Sequence, residues 1–421
     1  MMRRPAPLLL LGIAAVAILL AATIWWLRPP HRAAGGDVAF GTYRLELTNF
    51  PGGGLPLGLE IVREAGGPAA YLVNGANRVR AERTTIAGRN LTMAFPSYES
   101  SLIAEALPDG SLSGIARLRR RTGPVELGLR AVPGPMWRFH QRPAAPAANL
   151  SGEWLLETKG EDGERGLALI RQNGNVLEGT VQFPTGDVRF LAGDISGGEF
   201  ALSTFDGNQG SVWRGRRLAD GTLAGESFGA TSKAGTPFVA RPRAAGDAVV
   251  VIAEEKPPVD RIAFTFPDTA GTPVSLSDPR FAGKVVVIAI GGTWCPNCHD
   301  EAAFLAPYAK KRRPEGLEVI GLQFEYGDDA ARAARQSQRF AARYGIDYPM
   351  LIAGSATPEG SRKALPQIGG VKIYPTTLFV DRKGRLRAIH TGYAGPATGA
   401  LNRAAIAEFD ALVSKLLAEP A

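Results

Sequence analysis

The sequence predicts an α/β domain with a mixed sheet at its C-terminus, preceded by an antiparallel β-rich region and a single apolar N-terminal segment. Three observations carry this. From Gly283 onward, continuous apolar runs of strand length alternate with stretches of helical periodicity, the pattern of a sheet covered on both faces. Residues 37 to 245 are rich in Gly, Val, Leu and Thr, with turn signals every ~8 to 12 residues, which predicts antiparallel strands. Leu8 to Leu27 contains no charged residue. The only two cysteines among 421 residues, Cys295 and Cys298, fall where the first buried run meets a helix.

Length and composition bound the rest. A chain of 421 residues with 45% apolar content has material for roughly two to four domains. The net charge of +8 does not point to nucleic acid, because the Lys and Arg are dispersed and form no basic patch with single-strand binding features. The densest run, Lys310 to Arg313, precedes Pro314 and closes a predicted helix, where cations complement the macrodipole.

Leu8 to Leu27 would span about 30 Å as a helix, the thickness of a bilayer core. Arg3 and Arg4 precede it, and Trp25, Trp26 and Arg28 follow. A signal peptide's apolar region usually covers only about 7 to 15 residues. A transmembrane anchor over 6–27 is therefore expected, with a large extracytoplasmic, periplasmic part held at the inner (cytoplasmic) membrane by one span.

Within the β-rich region Leu107-Pro108-Asp109-Gly110-Ser111-Leu112 returns as Leu218-Ala219-Asp220-Gly221-Thr222-Leu223. Asp-Gly predicts a tight primed hairpin turn in each copy. A repeat at roughly a hundred residues implies two related units, 37–132 and 150–245, separated by the Pro- and Ala-rich stretch 133–148. Neither unit carries a catalytic cluster, so each is read as a spacer or partner-binding module.

In the C-terminal part, Ile262 to Phe264 and Val274 to Leu276 predict a short hairpin, and Lys284 to Ile290 a central strand. Cys295 to Arg313 suits a helix that Pro307 should kink or interrupt. Leu317 to Phe324 is a second buried strand, and a helix from about Asp328 to Tyr344 ends at Gly345. Tyr348 to Ile352 is a short strand and Pro358 to Ile368 a short helix. Tyr374 to Val380 and Arg385 to His390 form a hairpin, and Leu401, Ala405, Phe409, Leu412 and Leu416 mark a final amphipathic helix.

Cysteines two residues apart close too short a loop for a structural staple. The spacing serves half of a zinc site, a haem attachment site, a peroxidatic cysteine with a neighbour, or a thiol-disulfide pair. A zinc site needs about four ligands, and His31, His140 and His390 supply no second pair near the motif, so no metal is expected.

The apolar strand, Trp294-Cys295-Pro296-Asn297-Cys298 at a strand-to-helix junction and Tyr374-Pro375-Thr376-Thr377 together resemble a thioredoxin fold over residues 260–418. The long segment between Leu317 and Ile368 is similar to the membrane-anchored TlpA/ResA branch of thiol-disulfide oxidoreductases. The stretch from Pro184 to Gly225 also resembles a companion domain of such proteins, from which no activity carries over. The resemblance implies that Cys295 attacks, Cys298 resolves and Pro375 is a cis-proline beside them. It makes Trp294, Pro296, Asn297, Tyr374 and Thr376 candidate substrate contacts. Where thioredoxin has a buried aspartate this chain has Ala289, so another proton acceptor is needed, and Glu325, at the end of the next strand, is the candidate.

The expected function is reduction of client-protein disulfides, with an upstream electron donor and no cofactor beyond the redox-active disulfide of Cys295 and Cys298. Clients of relatives include cytochrome c apoproteins and copper-site cysteines. His299 completes a Cys-x-x-Cys-His haem signature, but a haem site facing a cis-proline is disfavoured, and His299 is read as assisting Cys295. Two alternatives stand beside this reading. The peroxiredoxins' Pro-x-x-x-Thr-x-x-Cys pattern is absent, since Thr293 lies two residues before Cys295; a non-enzymatic binding or adaptor protein is the other alternative.

Overall fold

The computed structural model describes residues 36–159, 163–248 and 253–420. Strand Gly41–Leu47 buries Tyr43, Leu45 and Leu47 while the residues between them stay partly exposed, the period-2 alternation of a sheet with one wet face. Nine such strands between Gly41 and Pro133 form one curled antiparallel sheet, a half-barrel whose end strands, Asn77–Arg80 and Arg83–Ala87, do not pair with each other. A second nine-stranded sheet runs from Gly152 to Pro242. In it Arg165–Asn173 pairs with Gly152–Thr158 on one side and Val176–Phe183 on the other, which closes the strands into a barrel. Gly186–Asp187 lies off this ring, paired only with Gln182 and Phe183.

The repeated Asp-Gly segments do form hairpins, but not with the expected primed turn. Only the glycines, Gly110 at φ 82° and Gly221 at φ 86°, are left-handed, while Asp109 and Asp220 are not. Each aspartate instead accepts the N–H and hydroxyl of the residue two places on, Ser111 or Thr222. The observed turns run Leu107 to Gly110 and Leu218 to Gly221, and in the first the negative φ of Pro108 suits the second position of such an unprimed turn.

The two sheets are pinned together by Arg138, which is buried and donates to the carbonyls of Val73, Ala192 and Ser203 and to Asn74 Oδ1. Burial pulls its pKa down to about 9, and four acceptors from both units offset that cost.

The C-terminal domain is a six-stranded sheet. Its strands are β1 (Ala253–Glu255), β2 (Val285–Gly291), β3 (Leu317–Glu325), β4 (Met350–Ser355), β5 (Thr376–Val380) and β6 (Leu386–Thr391). They lie in the order β1-β6-β5-β2-β3-β4, with β2, β3 and β4 parallel and the other pairings antiparallel. Every residue of β2 is buried. Val286, Ile288 and Ile290 belong to one core and Val285, Val287 and Ala289 to another, so both faces are covered and the run is continuously apolar. The second core contains Ala302, Leu305 and Ala309 of helix α1 (Pro296–Arg312), Phe340 of α2 (Ala330–Tyr344), and Phe409, Val413 and Leu416 of α4 (Ala400–Ala418). Against the first core packs Ala364 of the short α3 (Pro358–Ala364).

Two local expectations differ. α1 runs through Pro307 without interruption, losing only the hydrogen bond that a proline nitrogen cannot donate. The early hairpin pairs Thr265–Pro267 with Pro273–Ser275, while Ile262 and Phe264 pack into the core outside any strand.

The membrane expectation is corrected. No helix among the described residues is long and apolar enough to cross a membrane. The longest, α4, has 19 residues but carries Arg403, Glu408, Asp410 and Lys415. The anchor expected over 6–27 lies outside the described residues. The membrane-anchored fold class and TlpA/ResA-branch assignment, the membrane as partner and the single-pass periplasmic placement therefore give way to a simpler description. A barrel and a half-barrel precede a thioredoxin-like α/β domain.

Candidate active site

Cys295 ends the turn after β2 and is the N-cap of α1, with extended backbone at φ −95° and ψ 116° and Pro296 at the first helical position. Its sulfur accepts the Cys298 N–H at 3.3 Å, the capping bond usually made by a Ser or Asp oxygen. Both cysteines are free and buried. Cys298 lies one turn inside, where burial first, and then its hydrogen bond and charge interaction with Cys295, push its thiol well above the usual range. Gly291 makes room for it, since a Cβ there would sit 3.3 Å from Cys298 Sγ.

The turn is fixed from behind. Thr293 donates its N–H and hydroxyl to the two oxygens of Glu325, at 2.7 and 2.9 Å. Trp294 Nε1 donates to Phe324 O at 2.9 Å, and the indole stacks on Tyr326 with its edge to Tyr374. The Tyr374–Pro375 peptide is cis, and Tyr374 O lies 3.6 Å from Cys295 Sγ. Thr376 is buried, its hydroxyl donating to Ile373 O at 2.8 Å. Trp294, Pro296, Tyr374, Pro375 and Thr376 thus border the pair, whereas Asn297 turns toward the barrel.

Two residues change the sequence-based picture. His299 donates Nε2–H to Thr293 O at 2.8 Å and accepts from the Tyr344 hydroxyl at Nδ1, 2.7 Å away; burial holds its pKa well below the usual value. Both ring nitrogens are occupied, so the imidazole is a neutral structural brace with no lone pair for iron or for Cys295. Glu301, one turn beyond Cys298, accepts a hydrogen bond from Thr377 at 2.5 Å and is raised by burial to about 7. Its charge bears directly on Cys298. Glu325 is likewise raised to about 7 by burial, but its carboxylate is engaged with Thr293. Sequence reading missed Glu301, although its spacing of three from Cys298 places both on one helix face.

The fold and the cysteine pair define the class: a thioredoxin-like α/β domain with Cys-x-x-Cys spacing, consistent with generic thiol-disulfide oxidoreductase activity and with a redox-active disulfide. Among the described residues no group of three or more His, Cys, Asp or Glu is placed to hold a metal.

The AhpC/TSA family matches residues 260–389, less than a third of the chain. Over 129 residues the chain is 29% identical to the thioredoxin-like protein YneN of Bacillus subtilis, covering 31% of this chain and 68% of that protein. It is 27% identical over 133 residues to the thiol-disulfide oxidoreductase ResA of Halalkalibacterium halodurans, covering 31% and 66%. The chain thus spans about two thirds of the length of these relatives, and the C-terminal domain is homologous to ResA proteins. Among solved structures, a thiol:disulfide interchange protein from Chlorobium tepidum aligns at 23% identity over 39% of this chain and 99% of its own, with a TM-score of 0.30.

Proposed function

We propose that the chain reduces disulfide bonds of client proteins by thiol-disulfide exchange. The observation that carries this is Cys295 capping α1 with its sulfur on the Cys298 N–H and beside the carbonyl that precedes a cis-proline. The Cys295 thiolate attacks one sulfur of a client disulfide; a Cys295–client bond forms, the client S–S bond breaks, and the departing client thiolate takes a proton. Cys298 then attacks Cys295 Sγ, closing the Cys295–Cys298 disulfide and releasing the second client thiol. Two electrons pass from the pair to the client. Cys298 must lose its proton for this step, and Glu301, poised near neutrality on the same helix face, is the proposed acceptor. Glu325 acts as a positioning residue through Thr293. Tyr374, Pro375 and Thr376 are proposed to line the client, with Trp294 and Pro296 at its edge and Asn297 behind.

Reduction of insulin by the dithiothreitol-primed protein tests the reading. Loss of that activity in both Cys295→Ser and Cys298→Ser is expected; an active Cys295→Ser variant would refute it. A second reading, a thiol peroxidase, is favoured by the AhpC/TSA match. It predicts peroxide consumption that survives in Cys298→Ser, because a sulfenic acid needs only the attacking cysteine.

A further inference from the structure

An attacking cysteine needs access, yet Cys295 is only 4% exposed, no more than Cys298. The β-rich units supply the cover. Segment Pro184–Arg189 crosses the face of the C-terminal domain that carries the pair. Asn297, with its amide oriented by hydrogen bonding, donates to both Asp187 Oδ1 and Asp187 O at 3.2 Å. Gly395 N–H donates to Asp187 Oδ1 at 3.1 Å. A Cβ on Gly392 would meet Pro184 O at 2.2 Å, so only glycine admits the segment.

Arg189 then reaches Pro296 O at 3.2 Å and Asp300 at 2.9 Å, and Gln209 Nε2 reaches Trp294 O at 3.4 Å. From the half-barrel, Tyr98 lies against the His299 ring at 4.0 Å, Glu99 pairs with Arg332 and Glu82 with Arg343. Among the described residues the only non-glycine residues with left-handed backbone are Glu99, φ 55°, and Arg189, φ 63°. Both are bridge residues. Strained backbone persists where the surroundings over-determine it and clusters at clamps and switches.

We propose that the two β-rich units clamp the redox pair shut, with segment Pro184–Arg189 seated where a client chain would lie, so that exchange at Cys295 requires the units to come away. The proposal rests on the thiol-disulfide reading and adds its regulation. In the clamped state the apparent reactivity of Cys295 is its open-state reactivity multiplied by the fraction open.

The test is the rate of iodoacetamide alkylation of Cys295 in the full chain, in a Cys298→Ser background, with glutathione as the open-thiol reference. Arg189→Gly combined with Asp300→Asn removes the central ion pair and relaxes the left-handed residue, while Asp206, the other partner of Arg189, keeps its bonds from the Tyr98 hydroxyl and the N–H groups of Asn208 and Gln209. Arg332→Ala removes a peripheral bridge and serves if the first variant misfolds. Alkylation slower than glutathione in the parent and faster by about tenfold or more in either folded variant, at unchanged urea midpoint, is the expected result. Parent alkylation at the glutathione rate, or equal rates in parent and both variants, overturns the clamp. Insulin reduction with Cys298 restored keeps the two readings apart. Fast alkylation without insulin reduction upholds the clamp and removes the redox reading; insulin reduction with unchanged alkylation does the reverse.

Discussion

Replacing Glu301 by Gln removes one buried ionisable group while leaving an oxygen to accept the Thr377 hydroxyl. Its carboxyl is raised from 4.5 to about 7, chiefly by burial. Between these values the folded chain holds a proton that the unfolded chain has lost, so stability falls as pH rises through this window; above about 7 both states are ionised and the folded state bears the full cost. At ~1.4 kcal/mol per pKa unit that cost is on the order of 3 kcal/mol, of which about 2.5 kcal/mol accrues between pH 5 and pH 8. Urea unfolding of the reduced protein at those two pH values measures it. Glu301→Gln should lose less stability than the parent on going from pH 5 to pH 8, by up to that amount. Glu325 and Asp300, also raised to about 7 by burial, keep a residual slope in the variant. Insulin reduction should lose its rise near pH 7 in the same variant, since Cys298 then lacks its acceptor. Identical pH slopes in parent and variant would show that Glu301 is not a buried carboxyl of raised pKa, and the proposed proton transfer would fall with it.

Three further outcomes are expected. Cys298→Ser incubated with oxidised glutathione should accumulate a mixed disulfide at Cys295, seen by mass spectrometry, whereas Cys295→Ser should accumulate little; equal trapping would remove the assigned order of attack. Glu325→Gln can accept only one of the two Thr293 donors, a loss of ~1 kcal/mol, and should shift the pH profile of Cys295 alkylation; a displaced urea midpoint with an unmoved profile would leave Glu325 structural only. Arg138→Ala removes buried, charge-assisted hydrogen bonds to both β-rich units and should cost ~3 kcal/mol or more. A loss below ~1 kcal/mol in equilibrium unfolding would show that Arg138 does not hold the units together.

The strand and helix order of the C-terminal domain was legible because burial on both faces writes itself as continuous apolar runs such as Val285 to Ile290. Asp329 capping α2 and Gly345 ending it are equally local signals. The turn chemistry was half legible: Asp-Gly announced a hairpin, but the aspartate serves as acceptor for the residue two places on rather than as a left-handed turn residue. Glu301 was marked in the sequence by its helical spacing of three from Cys298, a weaker signal than the acid at the strand end. The cover over the pair had no such signal. Tyr98, Asp187 and Arg189 meet α1 from more than a hundred residues away, and no periodicity marks a side chain whose partner is set by how whole units pack. Cys295, read from the sequence as the attacking thiol, is therefore no more exposed than Cys298.

Closure of the second sheet on itself has a consequence for how this chain meets others. A barrel in which Arg165–Asn173 has partners on both sides offers no row of unpaired N–H and C=O groups on which a foreign strand could template itself. The half-barrel keeps two such rims, and there Arg78, Arg80 and Arg83 place charge where a flat hydrophobic strand would invite pairing. On the C-terminal sheet the outer strand β4 is touched by the bridge between Leu351 and Asp268. Two extensive sheets can thus sit beside the cysteine pair without themselves recruiting other chains by strand addition.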